Sequence, residues 1–269
     1  MHLLGRRPWR GALGLVVVLV LSGAIVASAA PTRPVAGTLS FCSDITYPPE
    51  EFYQGTKAVG SDIDIGTEIA KRLGLHAKFK NTGFDGIIAA LLAKRCDAVI
   101  SGMNDTPARR KQVAFVDYLS VGQSLMVKKG NPKHISTVAS LSGRSVSVEV
   151  GTTNKDFLDQ QSKLLQKKGK AGIKVVTFPK DTDAAAALKT GRVDAYFGDS
   201  PVVAYYIKKD SSFAFAGSPV NPIPVGIALR KGDALVAKVQ KAVDAMYADG
   251  TMKKILATWS MQDFAIKGK

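Results

Sequence analysis

The chain of 269 residues contains two cysteines, three histidines and only 7 % aromatic residues. Its two cysteines, Cys42 and Cys96, lack the spacing of a zinc finger. His2, His76 and His134 are too widely separated to suggest a metal site, and no nucleophile stands beside a base in a recognisable pattern. Acids are scarce as well: 22 Asp and Glu against 37 Lys and Arg leave a formal charge of +15. Such a surplus invites a nucleic-acid or membrane-surface reading. The basic residues are interleaved with acids, however, and the densest cluster (Lys163, Lys167, Lys168, Lys170) has no aromatics for base stacking. A solvated face explains it. With 46 % hydrophobic residues the chain forms a core and is not a basic tail. Beyond the first thirty residues no apolar run is long enough to span a bilayer of about 30 Å.

Those thirty residues read as an address. Arg6, Arg7 and Arg10 precede an apolar run from Ala12 to Val26, and Ala27-Ser28-Ala29 supplies the small residues of a cleavage site. This is the pattern of a secretory signal, residues 1–29, and the run is short for a transmembrane anchor. Cleavage after Ala29 leaves 240 residues and, with three arginines gone, a charge of +12. The mature protein is then expected in the periplasm. Cys42 and Cys96 would share that oxidising space. Cys42 sits late in one predicted strand and Cys96 at the start of another. Parallel neighbours would hold the sulfurs several residues of rise apart, so two free buried thiols are expected.

Short apolar runs alternate with helical patterns throughout. Thr38–Cys42 reads as a strand, and Ile65–Leu73 as a helix carrying Ile65, Ile69 and Leu73 on one stripe. Asp85–Lys94 reads as a second helix and Ala98–Ile100 as a second strand. The rhythm then repeats at an offset of 97: Ala89-Ala90-Leu91 … Arg95-Cys96-Asp97-Ala98 matches Ala186-Ala187-Leu188 … Arg192-Val193-Asp194-Ala195. Gly37–Asp44 and Gly143–Thr153 both look like a first strand ending in a polar loop. The fold class is α/β, with parallel sheets covered by helices, in two similar lobes unless the matched units are alike by chance.

Ligands of such sheets gather at the carboxyl ends of strands. Here those ends are Ser43-Asp44, Ser101-Gly102, Gly151-Thr152-Thr153 and Gly198-Asp199. Thr106-Pro107 starts a helix that places Arg109 in its first turn, with a fork suited to a carboxylate. A plain surface arginine is the alternative. Gly151-Thr152-Thr153 opens another helix and offers N–H groups to an anion, although any loop-to-helix junction can carry these residues. Asp199 can receive an ammonium group or simply cap the segment at Ser200-Pro201. Taken together, Arg109, Thr153 and Asp199 are complementary to an α-amino acid.

At these residues the chain resembles the polar amino acid-binding proteins of ABC importers (solute-binding protein family 3). The matching segments are Gly60-Ser61-Asp62-Ile63-Asp64-Ile65, Phe84-Asp85-Gly86-Ile87-Ile88, Asp97–Met103 with Thr106-Pro107 and Arg109, and Gly151-Thr152-Thr153. The resemblance implies a two-lobe periplasmic-binding-protein fold (type II), each lobe a mainly parallel sheet flanked by helices. Crossovers near Val121–Gln123 and Ser218–Pro222 would divide it into residues 30–121 plus 223–269 and residues 122–222. It further implies that Arg109, with N–H groups at Gly102 and Thr153 beside Ser101 and Thr152, clamps the ligand carboxylate. Asp199, the Gly102 carbonyl and Asn104 would hold the ammonium. Tyr47, Phe84 and Ser61 would surround the side chain, and Asp44 stands where some members meet a cationic one. The family usually has a large apolar residue at Ser61, Thr or Ser at Asn104, and an apolar residue at Asp105. These departures bear on the ligand's side chain more than on its amino-acid class. The implied partners are an amino acid, polar or cationic by Asp44, Asp105 and Ser61, and a membrane permease, with no cofactor and a monomeric receptor. A cyclohexadienyl dehydratase is known on this scaffold and is the enzymatic alternative, for which Asp105 or Glu50 could be proposed as the acid.

Overall fold

The computed structural model describes residues 37–268 together with His2. The signal segment 1–29 lies outside the described residues. Among the described residues the strands are β1 Thr38–Ser43, β2 Thr46–Tyr47, β3 Glu51–Gln54, β4 Lys57–Val59, β5 His76–Asn81, β6 Ala98–Val99, β7 Val113–Lys128, β8 Ser145–Glu149, β9 Lys174–Phe178, β10 Ala195–Asp199 and β11 Phe213–Arg230. The helices are α1 Ser61–Arg72, α2 Ile87–Leu92, α3 Pro107–Arg110, α4 Thr153–Lys167, α5 Asp181–Lys189, α6 Ser200–Lys209, α7 Leu235–Ala248 and α8 Thr251–Thr258. Among the described residues, no helix is long and apolar enough to cross a membrane.

The repeat read from the sequence is a repeat of topology. Strands run in the order β5-β1-β6-β11-β7-β10-β8-β9. The triplets β5-β1-β6 and β9-β8-β10 are parallel and mirror one another, each formed by a βαβαβ run. The same side-chain device closes both. Asp97 accepts bonds from the Ser40 N–H at 2.8 Å and the Ser40 hydroxyl at 2.6 Å. Asp194, 97 positions on, accepts from the N–H and hydroxyl of Ser145, both at 2.9 Å. Each device ties the turn before a buried strand to the start of its neighbour. Between the triplets lie two long strands, β7 and β11, which pair antiparallel with register shifts between Ala216 and Val220 and between Val220 and Ile223. Val121–Gln123 and Ser218–Pro222 fall inside them.

Local signals explain the elements. In α1, Asp62 and Asp64 stand in the first turn and Lys71 and Arg72 in the last, complementing the helix dipole. Its Ile65 and Ile69 pack with Leu39, Phe41 and Ile227 in a core drawn from residues 39–121 and 225–261. Two further clusters draw mainly on residues 125–216. Thr106 caps α3, accepting the Arg109 N–H, with Pro107 next. Thr152 caps α4 by accepting the Lys155 N–H. The helix expected at Asp85–Lys94 is shorter, a 3-10 turn at Phe84–Gly86 followed by α2.

The cysteine expectation is corrected. Cys42 and Cys96 form a disulfide with their Cα atoms 5.7 Å apart. The rise argument assumed that Cys96 lies in an extended strand. Instead β6 begins only at Ala98, residues 95–97 bend, and the Asp97 N–H reaches back to the Ser40 carbonyl at 2.8 Å. That bend folds Cys96 against β1.

Candidate functional site

The four strand ends converge. Tyr47, Phe84, Gly102, Asn104, Thr152 and Asp199 line one small cavity, together with Glu149 and Asn154. Residues from both halves of the repeat meet there through a connected set of hydrogen bonds. Asn104 donates its amide to Asp199 Oδ2 at 3.3 Å and accepts the Thr153 hydroxyl on its Oδ1. Asn154 donates to the other Asp199 oxygen at 3.1 Å, and the Asp199 N–H donates to the Tyr47 hydroxyl at 3.4 Å. Arg109, carried by the short helix α3, donates to the Asn104 carbonyl at 2.8 Å and to the Gly151 carbonyl at 3.1 Å. Its guanidinium carbon lies 5.3 Å from the centroid of the Phe84 ring, a cation–π arrangement that shields one of its faces.

Gly151 makes the close approach possible. It has φ +79°, and a Cβ built there would stand 2.8 Å from the Asp85 Cα. Any side chain would push the two halves apart at this point.

Asp44 sits at the end of β1, accepting the Thr46 hydroxyl at 2.7 Å and the Phe84 N–H at 2.8 Å. Ser101 and Ser61 point elsewhere. The Ser101 hydroxyl accepts the Asp44 N–H and donates to Glu51, both within a buried layer behind the cavity. Ser61 is buried at the first turn of α1, its N–H on the Pro49 carbonyl, and its hydroxyl has no partner. Neither lines the cavity. Asp105 is buried beneath the cap of α3 and pairs with Arg110.

Two lining residues, Glu149 and Asn154, were not among the sequence candidates. Both flank Gly151-Thr152-Thr153, so the anion-binding motif pointed at their neighbourhood without naming them. Glu149 is the last residue of β8 and 3 % exposed.

Carboxylates dominate the electrostatics of the site. Burial raises Asp199 to about 6, against hydrogen bonds from Asn154, Asn104 and Tyr47 and the charge of Arg109. Burial likewise pushes Glu149 well above the usual carboxylate range, assisted by Asp181 and Asp44. Asp181 lies at about 7, raised by burial and held down by the hydroxyls of Tyr196 and Tyr206. Behind the cavity, Asp62 is raised to about 6 by burial and anchors the Gly102 N–H at 2.8 Å and the Tyr118 hydroxyl at 2.7 Å. Arg109 is shifted downward by burial but is supported by Asp199 and Asp156. One cationic fork, one helix start and several buried carboxyls therefore surround a space that side chains from both halves close.

Comparison with known proteins identifies the family. The sequence model of the bacterial extracellular solute-binding proteins, family 3, matches residues 39–262. An ABC transporter arginine-binding protein 1 of Escherichia coli is 34 % identical over 252 residues, covering 91 % of this chain and 99 % of that one. A solved ancestral arginine-binding protein bound to arginine superposes with TM-score 0.77 at 39 % identity, covering 83 % of this chain and 98 % of the other. An ancestral amino acid-binding protein that is a precursor of cyclohexadienyl dehydratase superposes with TM-score 0.76 at 36 % identity, covering 83 % and 95 %. With a family match over most of its length and relatives at this identity, the chain belongs to the bacterial extracellular solute-binding proteins, family 3.

Proposed function

We propose that the chain is the amino acid-binding receptor of an ABC importer, working in the periplasm after removal of residues 1–29. The observation that carries this is the Asp199 carboxylate in the wall of one small cavity with the Arg109 guanidinium beside it, bonded to the carbonyl of the lining residue Asn104 and stacked on Phe84. The α-carboxylate of the ligand takes the Arg109 fork, which now rests on carbonyl groups, together with the N–H of Thr153 at the start of α4; the Gly102 N–H, expected to share that role, is held by Asp62 instead. The ammonium takes Asp199, the Gly102 carbonyl and the Asn104 side chain. Tyr47 and Phe84 flank the ligand's side chain.

Residues 30–121 plus 223–269 form one lobe in this reading, and residues 122–222 the other. The long strands β7 and β11, irregular where they pass between the two cores, act as the hinge. Ligand contacts from both lobes are complete only when the cleft is shut, so binding favours the closed form. A permease recognises that form, and the receptor acts as a monomer. A ligand lacking either charged group abandons a buried partner, which costs affinity steeply.

The test is calorimetry across the amino acids on refolded protein freed of co-purified ligand. Arg109→Ala should weaken binding by roughly 100-fold, the worth of a charged hydrogen-bonded pair of about 3 kcal/mol. Unchanged affinity overturns the clamp. We read the chain as a receptor and not as an enzyme, since the carboxylate and ammonium clamps serve retention. Turnover of prephenate or arogenate would contradict that.

A further inference from the structure

We propose that Glu149, paired with Asp44, is the determinant of ligand charge: the pair holds one proton, and the cationic end of a basic amino acid side chain replaces it. This rests on the amino acid-receptor reading and adds to it the chemical class of the ligand's far end. It also assigns the role to a residue that neither the sequence motifs nor the family resemblance singled out.

The argument begins with an unanswered group. Glu149 is 97 % buried, it lines the cavity, and its Oε1 has no hydrogen-bond partner. Asn154, on the same wall, also leaves its Oδ1 without a partner. Buried polar atoms of this kind are rare and expensive, so two of them facing one small space mark where a donor is missing. The other cavity acid, Asp199, is in a different situation. It is met by Asn104, Asn154, the Tyr47 hydroxyl and the charge of Arg109. The missing donor therefore belongs at Glu149 and not at the ammonium pocket.

Charge says what kind of donor it is. Burial raises both Glu149 and Asp44, and each acts on the other, so without a cation this buried pair keeps a proton. Asp181 and Asp85 add negative potential at Glu149. The Tyr47 and Tyr206 hydroxyls also feel its charge, and Lys180 acts on Asp44. Four acids thus converge; Lys180 acts on Asp44, and Arg109 is held on the Asn104 and Gly151 carbonyls. Two carboxylates this close cannot both ionise without a cation between them. Among the described residues no group of acids, His and Cys has the arrangement of a metal site. A guanidinium or ammonium at the end of a ligand side chain fits, because it brings several N–H donors and the balancing charge at once. The exchange balances simply: the Glu149 carboxyl releases its proton to solvent, and the carboxylate then accepts hydrogen bonds from the cation.

The test compares arginine with citrulline, which has nearly the same shape but a neutral end group, by calorimetry on the full mature chain. The wild type should prefer arginine. In Glu149→Gln, which retains size and hydrogen bonding, the ratio of arginine to citrulline affinity should fall about 10- to 100-fold, the worth of one charge-assisted hydrogen bond. Binding measured in two buffers of different ionisation enthalpy should reveal more proton release with arginine than with citrulline, whose binding releases only the proton of Asp199. The affinity ratio should rise with pH, by up to about tenfold per unit while the unliganded pair still holds its proton, and level off above. Taking the ratio cancels the titration of Asp199, which acts on both ligands. Equal affinity of the wild type for arginine and citrulline overturns the proposal, as does an unchanged ratio in the variant. If the variant does not fold, the two-buffer measurement on the wild type decides alone: proton release no greater with arginine than with citrulline overturns it. Absence of binding by every α-amino acid overturns the receptor reading itself, an outcome distinct from these.

Discussion

Replacing Gly151 by Ala should weaken ligand binding far more than it weakens the fold. Two costs arise. The first is conformational: at φ +79° an L side chain is strained, by about 1–2 kcal/mol. The second is steric and exists only where the halves meet. The new Cβ would lie 2.8 Å from the Asp85 Cα and 3.3 Å from its N, against backbone that cannot rotate away. Ordinary carbon–carbon contact begins near 3.5 Å, so the two sides must retreat by roughly 1 Å. That retreat carries the Arg109–Gly151 bond, now 3.1 Å, and the Asn104–Asp199 bond, now 3.3 Å, beyond hydrogen-bonding range. The ligand's contacts to Arg109 and Asp199 span the same gap, so two of them weakened by about 1 kcal/mol each give about 2 kcal/mol, or roughly a 30-fold loss of affinity. Gly143→Ala is the control. Its φ of +73° carries the same strain, but its Cβ would meet only the Ala171 Cβ at 3.7 Å, an ordinary contact. Both variants should lose a few degrees of Tm, and Gly151→Ala alone should lose affinity by calorimetry. Equal affinities for the two variants would refute the reasoning that Gly151 serves closure.

Three further outcomes follow from the same structure. Cys42→Ala with Cys96→Val removes a link across 54 residues, worth up to about 4 kcal/mol of chain entropy, and should lower Tm by about 8 °C or more in a thermal melt. An unchanged Tm would show that the bridge does not constrain the unfolded chain. Asp62 and Asp199 at about 6 and Asp181 at about 7 are all raised above an unfolded aspartate, so their protonated forms stabilise the fold at low pH. Without ligand, Tm should therefore fall as pH rises from about 4 to about 7, acting against any surface charge effects; a rise would contradict these assignments. Amino acid affinity should run the other way, weakening as pH falls below about 6, because the ammonium needs an ionised Asp199. A pH-independent affinity between 4.5 and 7.5 would remove Asp199 from that role.

Much of the framework was readable because its causes are local. Ile65 and Ile69 repeat at helical spacing, Thr106-Pro107 is a helix start by its own chemistry, and the Asp97 and Asp194 turns recur with their flanking helices and strands. The segments at Asp44, Gly102, Thr152 and Asp199 were identified as strand ends from these signals. What misled was the assumption of regular extension. Cys96 was placed on a strand that begins two residues later, and the bend before it brings the sulfurs together. Ser101 was counted with the strand ends, yet its hydroxyl turns back to Glu51 and the Asp44 N–H. Ser61, taken from its position in a motif, is buried at the start of α1 beside the Pro49 carbonyl. Direction of a side chain at the end of a strand is decided by its tertiary partners, which spacing does not encode.

Two βαβαβ runs, their caps and their polar strand ends follow from residue order, since hydrophobic period and capping act within a few residues. Which ends face one another, and how far each carboxyl is taken from water, depends on distances through space between segments a hundred residues apart. Glu149 shows the difference. In the sequence it is one acid before a glycine; only in the folded chain does it lose its solvent, meet Asp44 and Asp181, and become a group that must be answered by a proton or a cation.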